Sequence, residues 1–340
     1  MPKPKTPKPP KPFKPFGRFR IMLADTDAIK PADFDKLTYP LLGSLKKDGI
    51  RAAVSPIPPA DIDKGLVHTE TGWKIDRAYL DENGAHHAIT RAILPVANRH
   101  ARALLETLPP GTDGEIGVMI DGVLNFRAST SAIMTQDGEP DIRFFVFDNF
   151  LAPGGKLKRY QALCAMRAYL PSWVVIVEQV LLTNADEARA YYFKAVEAGE
   201  EGVIFCSIEG PYKPNRSTFK EGWMLKGKEK ASIEITVTGV EEEFENTNEK
   251  KLDERGLAKR STHKENKVGK GVMGVLLGTH PDFPGKIIRV GSGFDAKTKK
   301  EYWLNPPLGQ LATIEYVVAG GYDVPRNTSF KGLRDPRDLS

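Results

Sequence analysis

The chain has 340 residues, 40% hydrophobic and 27% charged, so it is neither a disordered chain nor a collagen-like fibre. Its net charge is +5, yet residues 1–20 carry seven bases (Lys3, Lys5, Lys8, Lys11, Lys14, Arg18, Arg20) and no acid, which leaves the remainder at −2. Two cysteines, Cys164 and Cys206, exclude a disulfide scaffold and a Cys-rich zinc site, and no apolar stretch approaches the ~18 residues of a membrane span.

The first 20 residues interleave these bases with Pro2, Pro4, Pro7, Pro9, Pro10, Pro12 and Pro15. Such a composition is expected to be a disordered, polyproline-like arm without the apolar core of a signal peptide. Its lysines suit contacts with a polyanion, as against a merely solubilising tail. Residues 41–45 and 50–54 flank a Lys-Lys-Asp-Gly turn and read as strand–turn–strand. Helical spacing runs over 95–108. Residues 115–120 and 123–127 read as a hairpin around Asp121-Gly122. A buried strand is expected over 143–148, an amphipathic helix over 157–170 and a single strand over 174–182. Asn184 is expected to cap a helix reaching about 198, with Glu187 as its reciprocal partner. Strands follow at 203–206 and 223–225. Beyond Lys230 the pattern turns β-rich, with strands at 233–240, 271–277, 287–290 and 311–318 and one helical stretch near 297–302. This suggests a small β-barrel. Residues 241–270 hold eight acids and eight bases and read as an exposed loop or the tip of an extended hairpin.

Lys46-Lys47-Asp48-Gly49-Ile50-Arg51 contains Lys-x-Asp-Gly-x-Arg, four fixed positions that chance supplies roughly once per 10⁵ windows. Alone it is a charged turn. Further elements follow in order: Thr90-Arg91 with Pro95 and Asn98, Asp113-Gly114-Glu115-Ile116, Phe145-Val146-Phe147-Asp148 and Glu201-Gly202-Val203-Ile204. Trp223-Met224-Leu225-Lys226-Gly227-Lys228 comes last, behind Tyr212-Lys213. Each has an ordinary structural reading, such as a helix start, a turn or an aromatic core strand. In this order the set resembles the covalent nucleotidyltransferases, and among them the compact phage-type ATP-dependent DNA ligases, over residues 21–230 with a weaker continuation to the C-terminus.

The resemblance implies an α+β fold. A nucleotidyltransferase (adenylation) domain built on antiparallel sheets at 21–230 would follow the arm at 1–20 and precede a C-terminal OB-fold β-barrel at 231–340. There Arg289-Val290-Gly291-Ser292-Gly293-Phe294 resembles the barrel's Val-Gly-x-Gly-Phe turn. The implied activity is sealing of 5′-phosphate/3′-hydroxyl nicks in duplex DNA through a lysyl-AMP intermediate and an adenylylated DNA 5′ end. The implied enzyme is a monomer with no membrane partner, cytoplasmic, or in the host cytoplasm if viral. Lys46 is the implied nucleophile, with Lys226 and Lys228 as catalytic cations. Ser44, Leu45, Arg51, Arg91, Glu115, Phe147 and Glu201 complete the implied ATP site. Glu115 and Glu201 are the implied ligands of Mg²⁺, for which Mn²⁺ is a substitute. Lys331 and Arg334 are the implied pyrophosphate-orienting bases. Lys3, Lys5, Lys8, Lys11 and Lys14 would grip DNA in place of the separate DNA-binding domain that has no room before Lys46.

The residue types suit this chemistry. A lysine amine attacks only when neutral, its ordinary pKa is about 10.4, and nearby cations or desolvation lower such a value. Cations also neutralise the phosphate under attack, and an aromatic face suits a purine. Many compact ligases carry an acid two residues before the lysine to read the adenine amino group. This chain carries Ser44, so base reading is expected from backbone carbonyls. RNA ligases and GTP-using capping enzymes share the first step, and a non-catalytic nucleic-acid-binding module is the reading from another class.

Overall fold

The computed structural model describes residues 14–228, 230–252, 258–260, 267–317 and 324–334. Contacts divide the chain into two compact units, one of Met1–Ala28, Asp33–Ala188 and Ile204–Lys226, the other of Ile29–Ala32, Arg189–Val203 and Gly227–Ser340.

The first unit begins with the short strands β1 (Met22–Leu23) and β2 (Ala28–Ile29), then β3 (Leu41–Leu45) and β4 (Ile50–Ser55). A one-turn helix α1 (Ile62–Gly65), the hairpin β5 (Leu66–Thr69) and β6 (Gly72–Ile75), β7 (His87–Thr90) and α2 (Arg99–Glu106) follow. Next come β8 (Thr112–Ile120), β9 (Val123–Asn125), α3 (Phe126–Met134), β10 (Ile142–Asn149), α4 (Lys156–Ala165), β11 (Val174–Ile176) and β12 (Gln179–Leu182). The chain leaves this unit within α5 (Ala185–Glu197) and returns in β13 (Val203–Ser207), β14 (Asn215–Arg216) and β15 (Leu225–Gly227). One sheet has the order β11-β10-β8-β4-β7, the other β12-β3-β13-β15-β2.

The period of two along a strand sorts the first sheet's side chains. Ala52, Val54, Ile116, Phe144 and Val146 point to one face, where Ala101 and Leu105 of α2, Ile133 of α3 and Leu163 of α4 close a core. Arg51, Asp113, Glu115, Phe145 and Phe147 therefore share the other face. Arg51 stands directly opposite Glu115, and Glu115 opposite Phe145.

Several expectations are corrected here. The two strands expected around residues 46–49 form, but β3 and β4 lie in different sheets: Leu41 to Ser44 pair with β12, whereas Ile50 to Ala53 pair with β8. The strand expected over 174–182 is likewise two strands, one on β10 and one on β3, with the chain changing sheets at Val177-Glu178. Asp121 (φ 51°) and Gly122 (φ 79°) make the expected hairpin turn. Its second strand stops at Asn125, whose side chain caps the unanticipated α3 by accepting from Ala128 N at 2.9 Å. Asn184 accepts from Glu187 N at 2.9 Å, but Glu187 reaches back to Thr183 N (2.7 Å), one residue before the expected partner. The basic arm also ends earlier than composition suggests. Phe19 is fully buried against Trp73 and Phe150, at ring-centroid distances of 5.1 and 4.7 Å. Phe16 packs 4.4 Å from the His68 ring, and Ile21 and Met22 are core. Large aromatic burial outweighs a Pro-rich context.

The second unit carries β16 (Lys230–Asn246), β17 (Lys250–Leu252), β18 (Ala258–Arg260), β19 (Lys267–Thr279), β20 (Ile288–Val290), α6 (Ala296–Leu304), β21 (Leu311–Val317) and β22 (Arg326–Leu333). The sheet order is β20-β19-β16-β21-β22, around a core that includes Ile235, Met273, Leu276, Ile288, Val290 and Ile314. Of the two readings of 241–270, the extended hairpin is the one observed: β16 and β19 stay paired out to Asn246 and Lys267. Glu241 pairs with Arg289, and Glu243 bonds Lys270 and Lys299, each at 2.7 Å. β22 was not anticipated. It bonds β20 and the segment just after it: Thr328 Oγ1 donates to Arg289 O (2.7 Å), Phe330 N to Ser292 O (2.9 Å) and Ser292 Oγ to Thr328 O (2.7 Å). Among the described residues, no helix is long and apolar enough to cross a membrane.

Candidate active site

A cavity of about 150 Å³ opens between the two sheets of the first unit. Arg51, Glu115 and Phe147 line it from one sheet. Ser44, Leu45, Ile204, Cys206 and Lys226 line it from the other. Lys46 and Lys47 reach it from the segment that crosses between them. That crossing is why the motif lysine faces both sheets. Gly49 is required beside it: a Cβ there would stand 2.8 Å from Ile116 O.

Arg51 anchors the site. Its Nε donates to Asp113 Oδ1 at 2.6 Å, and Nη2 donates to Asp113 Oδ2 at 2.7 Å and to Met22 O at 3.1 Å. The guanidinium carbon lies 4.4 Å from the centroid of the Phe147 ring, a cation–π contact that holds the ring in place. Burial alone would lower the Arg51 pKa, but the fully buried Asp113 outweighs it and keeps the guanidinium charged. Tyr212 completes the cluster, donating its hydroxyl to Asp113 Oδ2 (2.7 Å) and accepting from Met22 N (3.2 Å). Burial and Asp113 push this phenol well above its ordinary pKa.

Behind Phe147, Asp148 is fully buried. Arg159 holds it through Nε (2.8 Å) and Nη2 (3.1 Å), and Lys156 Nζ lies 3.1 Å from Oδ2. Burial would raise this carboxyl, but the two cations hold it well below the usual range. Lys156 and Gln179 both donate to Phe147 O, at 2.5 and 2.7 Å. At the other wall, Lys226 Nζ donates to Thr26 O (2.6 Å) and Arg216 Nη1 to Ala24 O (3.0 Å).

Of the sequence-derived site residues, the cavity gathers Ser44, Leu45, Lys46, Arg51, Glu115, Phe147 and Lys226. Arg91 stands exposed at the turn after β7, outside the lining. Glu201 and Lys228 belong to the second unit and pair with each other, Glu201 being buried. Gly202 between them has φ +145°, and a Cβ there would collide with Gly227 O, which explains a glycine after the glutamate. Lys331 pairs with Glu315 (2.9 Å) and Arg334 with Glu234 (3.0 Å), also in the second unit. Lys14 is exposed, and Lys3, Lys5, Lys8 and Lys11 lie outside the described residues. Lys156, Cys206 and Arg216 line the cavity without having been singled out from sequence. Lys156 reads as an ordinary charged residue at a helix start, and only its burial shows otherwise. Asp113 was legible only as the first letter of Asp-Gly-Glu.

Glu115 offers a carboxylate on the cavity wall. Among the described residues, no three His, Cys, Asp or Glu side chains gather into a metal cage.

No protein-family model matches the sequence, and no curated protein matches it. Among solved structures, a Lig E DNA ligase, described as binding DNA with a minimal scaffold, superposes with a TM-score of 0.60 at 20% identity, covering 93% of this chain and 99% of that one. The fold is the compact DNA-ligase fold. Chlorella virus DNA ligase-adenylate aligns over 94% of this chain and 99% of its own at 24% identity (TM-score 0.48). The ATP-dependent DNA ligase of bacteriophage T7 in complex with ATP aligns over 93% and 98% at 15% identity (TM-score 0.45).

Proposed function

We propose that this chain is an ATP-dependent DNA ligase that seals 5′-phosphate/3′-hydroxyl nicks through a lysyl-AMP intermediate. The observation that carries the reading is the convergence of Lys46, Arg51, Glu115, Phe147 and Lys226 on one cavity of the first unit. Phe147 and Ile204 supply apolar surface for a purine, and Arg51 fixes the Phe147 ring. The neutral Lys46 amine attacks the α-phosphorus. The N–P bond forms, the bond to the β-phosphate oxygen breaks, pyrophosphate leaves, and the amine proton passes to solvent. Lys226 and Arg51 hold positive charge beside the phosphates. Glu115 would hold Mg²⁺ with the nucleotide phosphates, and Glu201 is the candidate ligand in the second unit. Bound Mg²⁺ supplies neutralisation of phosphate charge. A 5′-phosphate oxygen of the nick then displaces Lys46 from AMP. The 3′-hydroxyl finally displaces AMP and closes the strand.

The second unit is read as an OB-fold domain at 231–340. The five-stranded antiparallel sheet supports this, as do the three hydrogen bonds that tie β22 to β20 and the segment after it. Lys228, Lys331 and Arg334 are its candidate phosphate-facing bases, and the lysines of the basic arm are candidate DNA contacts. The protein is read as a cytoplasmic monomer. Incubation with α-³²P-ATP and Mg²⁺, followed by denaturing electrophoresis, should show covalent label on the chain, and unlabelled nicked duplex should then discharge it. Label from GTP alone would favour a capping-type enzyme, and transfer to nicked RNA alone an RNA ligase. No label from either nucleotide would refute the whole reading.

A further inference from the structure

Lys156 has no part in the chemistry above, yet it is 3% exposed and lines the nucleotide cavity. A buried ammonium must have partners. It has three N–H donors, and two are spent, on Phe147 O at 2.5 Å and Asp148 Oδ2 at 3.1 Å. Both partners are shared. Gln179 Nε2 also donates to Phe147 O, and Arg159 already holds both oxygens of Asp148. Two cations against one carboxylate leave a net charge of +1 behind Phe147.

The carbonyl of Phe147 is thereby closed to the base. Two donors already occupy it. Ser44, where compact ligases carry an acid, pairs across the strands with Gln179 and also lines the cavity. The wall beside Phe147 thus presents a donor in excess. An ammonium cannot accept from an exocyclic amino group, but it can donate to a ring nitrogen.

We infer that Lys156 is the base-reading residue of the cavity, its remaining N–H donating to a ring nitrogen of the purine that packs on Phe147. This rests on the reading of the cavity as the ATP site. Recognition then runs through an acceptor that every adenine nucleotide offers, with no carboxylate to hold the amino group. A charge-assisted bond of this kind should change affinity roughly 10–100-fold.

The test is calorimetric binding of ATP, 1-deaza-ATP, 3-deaza-ATP and 7-deaza-ATP to the full chain and to Lys156→Met, in EDTA so that no covalent step intervenes. Methionine keeps the length of the stem, and Asp148 keeps both bonds from Arg159. Lys156→Met should bind ATP roughly 10–100-fold more weakly. One deaza analogue should bind the unaltered chain as weakly as the variant binds ATP, and should lose nothing further on the variant. An equal loss for all four nucleotides, or none, would overturn the inference. So would an unaltered chain that binds no nucleotide. If the variant does not fold, the unaltered chain alone decides, because equal affinity for ATP and all three analogues means that no ring nitrogen is read. Covalent labelling with Mg²⁺ is scored separately. An analogue-specific loss without labelling leaves Lys156 a base reader and removes the ligase reading, whereas labelling without such a loss does the reverse.

Discussion

Replacing Tyr212 by Phe deletes one oxygen atom from the buried cluster that fixes Arg51. Two interactions go with it. The first is the 2.7 Å bond to the Asp113 carboxylate, of the charged class that contributes about 1.5–3 kcal/mol. The second is the acceptor for Met22 N–H, which is buried and would be left without that partner, at a cost of about 1–3 kcal/mol. The ring stays, so no cavity term is added. These are not independent, and Asp113 keeps both Arg51 bonds, so a net loss of about 2–4 kcal/mol is expected. Urea unfolding followed by tryptophan fluorescence suits the measurement, because the buried Trp73 donates to Tyr212 O at 2.8 Å and reports on this cluster. The midpoint should fall with the slope unchanged. A loss below about 0.5 kcal/mol would show that the hydroxyl is not what holds Asp113, and the account of Arg51 would fail with it.

Lys46→Ala should abolish covalent labelling by ATP, and Lys47→Ala should retain much of it. Both lysines line the cavity, so peptide mapping of the label must decide, and AMP on Lys47 would reverse the assignment. Glu115→Ala should lower the labelling rate roughly 10²-fold, with partial rescue by high Mg²⁺, and an unchanged rate would remove it from the site. Asp148 has a folded pKa below its unfolded value near 3.9, so its stabilisation is present above that value and is lost as the pH falls below it. Urea midpoints should therefore drop between about pH 5 and 2, and Asp148→Asn should flatten that drop. Deleting residues 1–13 removes Lys3, Lys5, Lys8 and Lys11 but spares the packed Phe16 and Phe19. It should weaken nick binding at low salt and make the slope of log K against log salt shallower by up to about 3–4, with no effect on labelling. Loss of labelling would mean that the arm serves the chemistry.

Most of the strands could be read from alternation and turn residues, and Lys46, Arg51, Glu115 and Phe147 from motif order. What stayed hidden depends on partners distant in the chain. Residues 174–182 form one apolar run, and nothing local says that its halves pair with β10 and β3. Arg326–Leu333 has a single large aromatic, Phe330, and becomes a strand because β21 offers it an edge. Strand alternation would turn Lys47 away from Lys46, but residues 46–49 belong to neither sheet and both lysines line the cavity. Lys156 looks like any helix-opening lysine until Asp148, from β10, is brought beneath it.

The cluster around Arg51 also bears on how the protein emerges during synthesis. Met22 and Arg51 are made early, Asp113 later and Tyr212 later still, while β1 waits for β14 at Asn215–Arg216. At 5–20 residues per second, translation brings out Tyr212 roughly 10–30 s after Arg51. The second sheet of the first unit likewise stays incomplete until β13 and β15 have appeared. The nascent chain therefore spends that interval with half of the cavity around Lys46 made and the aromatic surface of Phe19, Trp73 and Phe150 uncovered. This is a window in which a chaperone would find it, and one that a slow codon before residue 204 would lengthen.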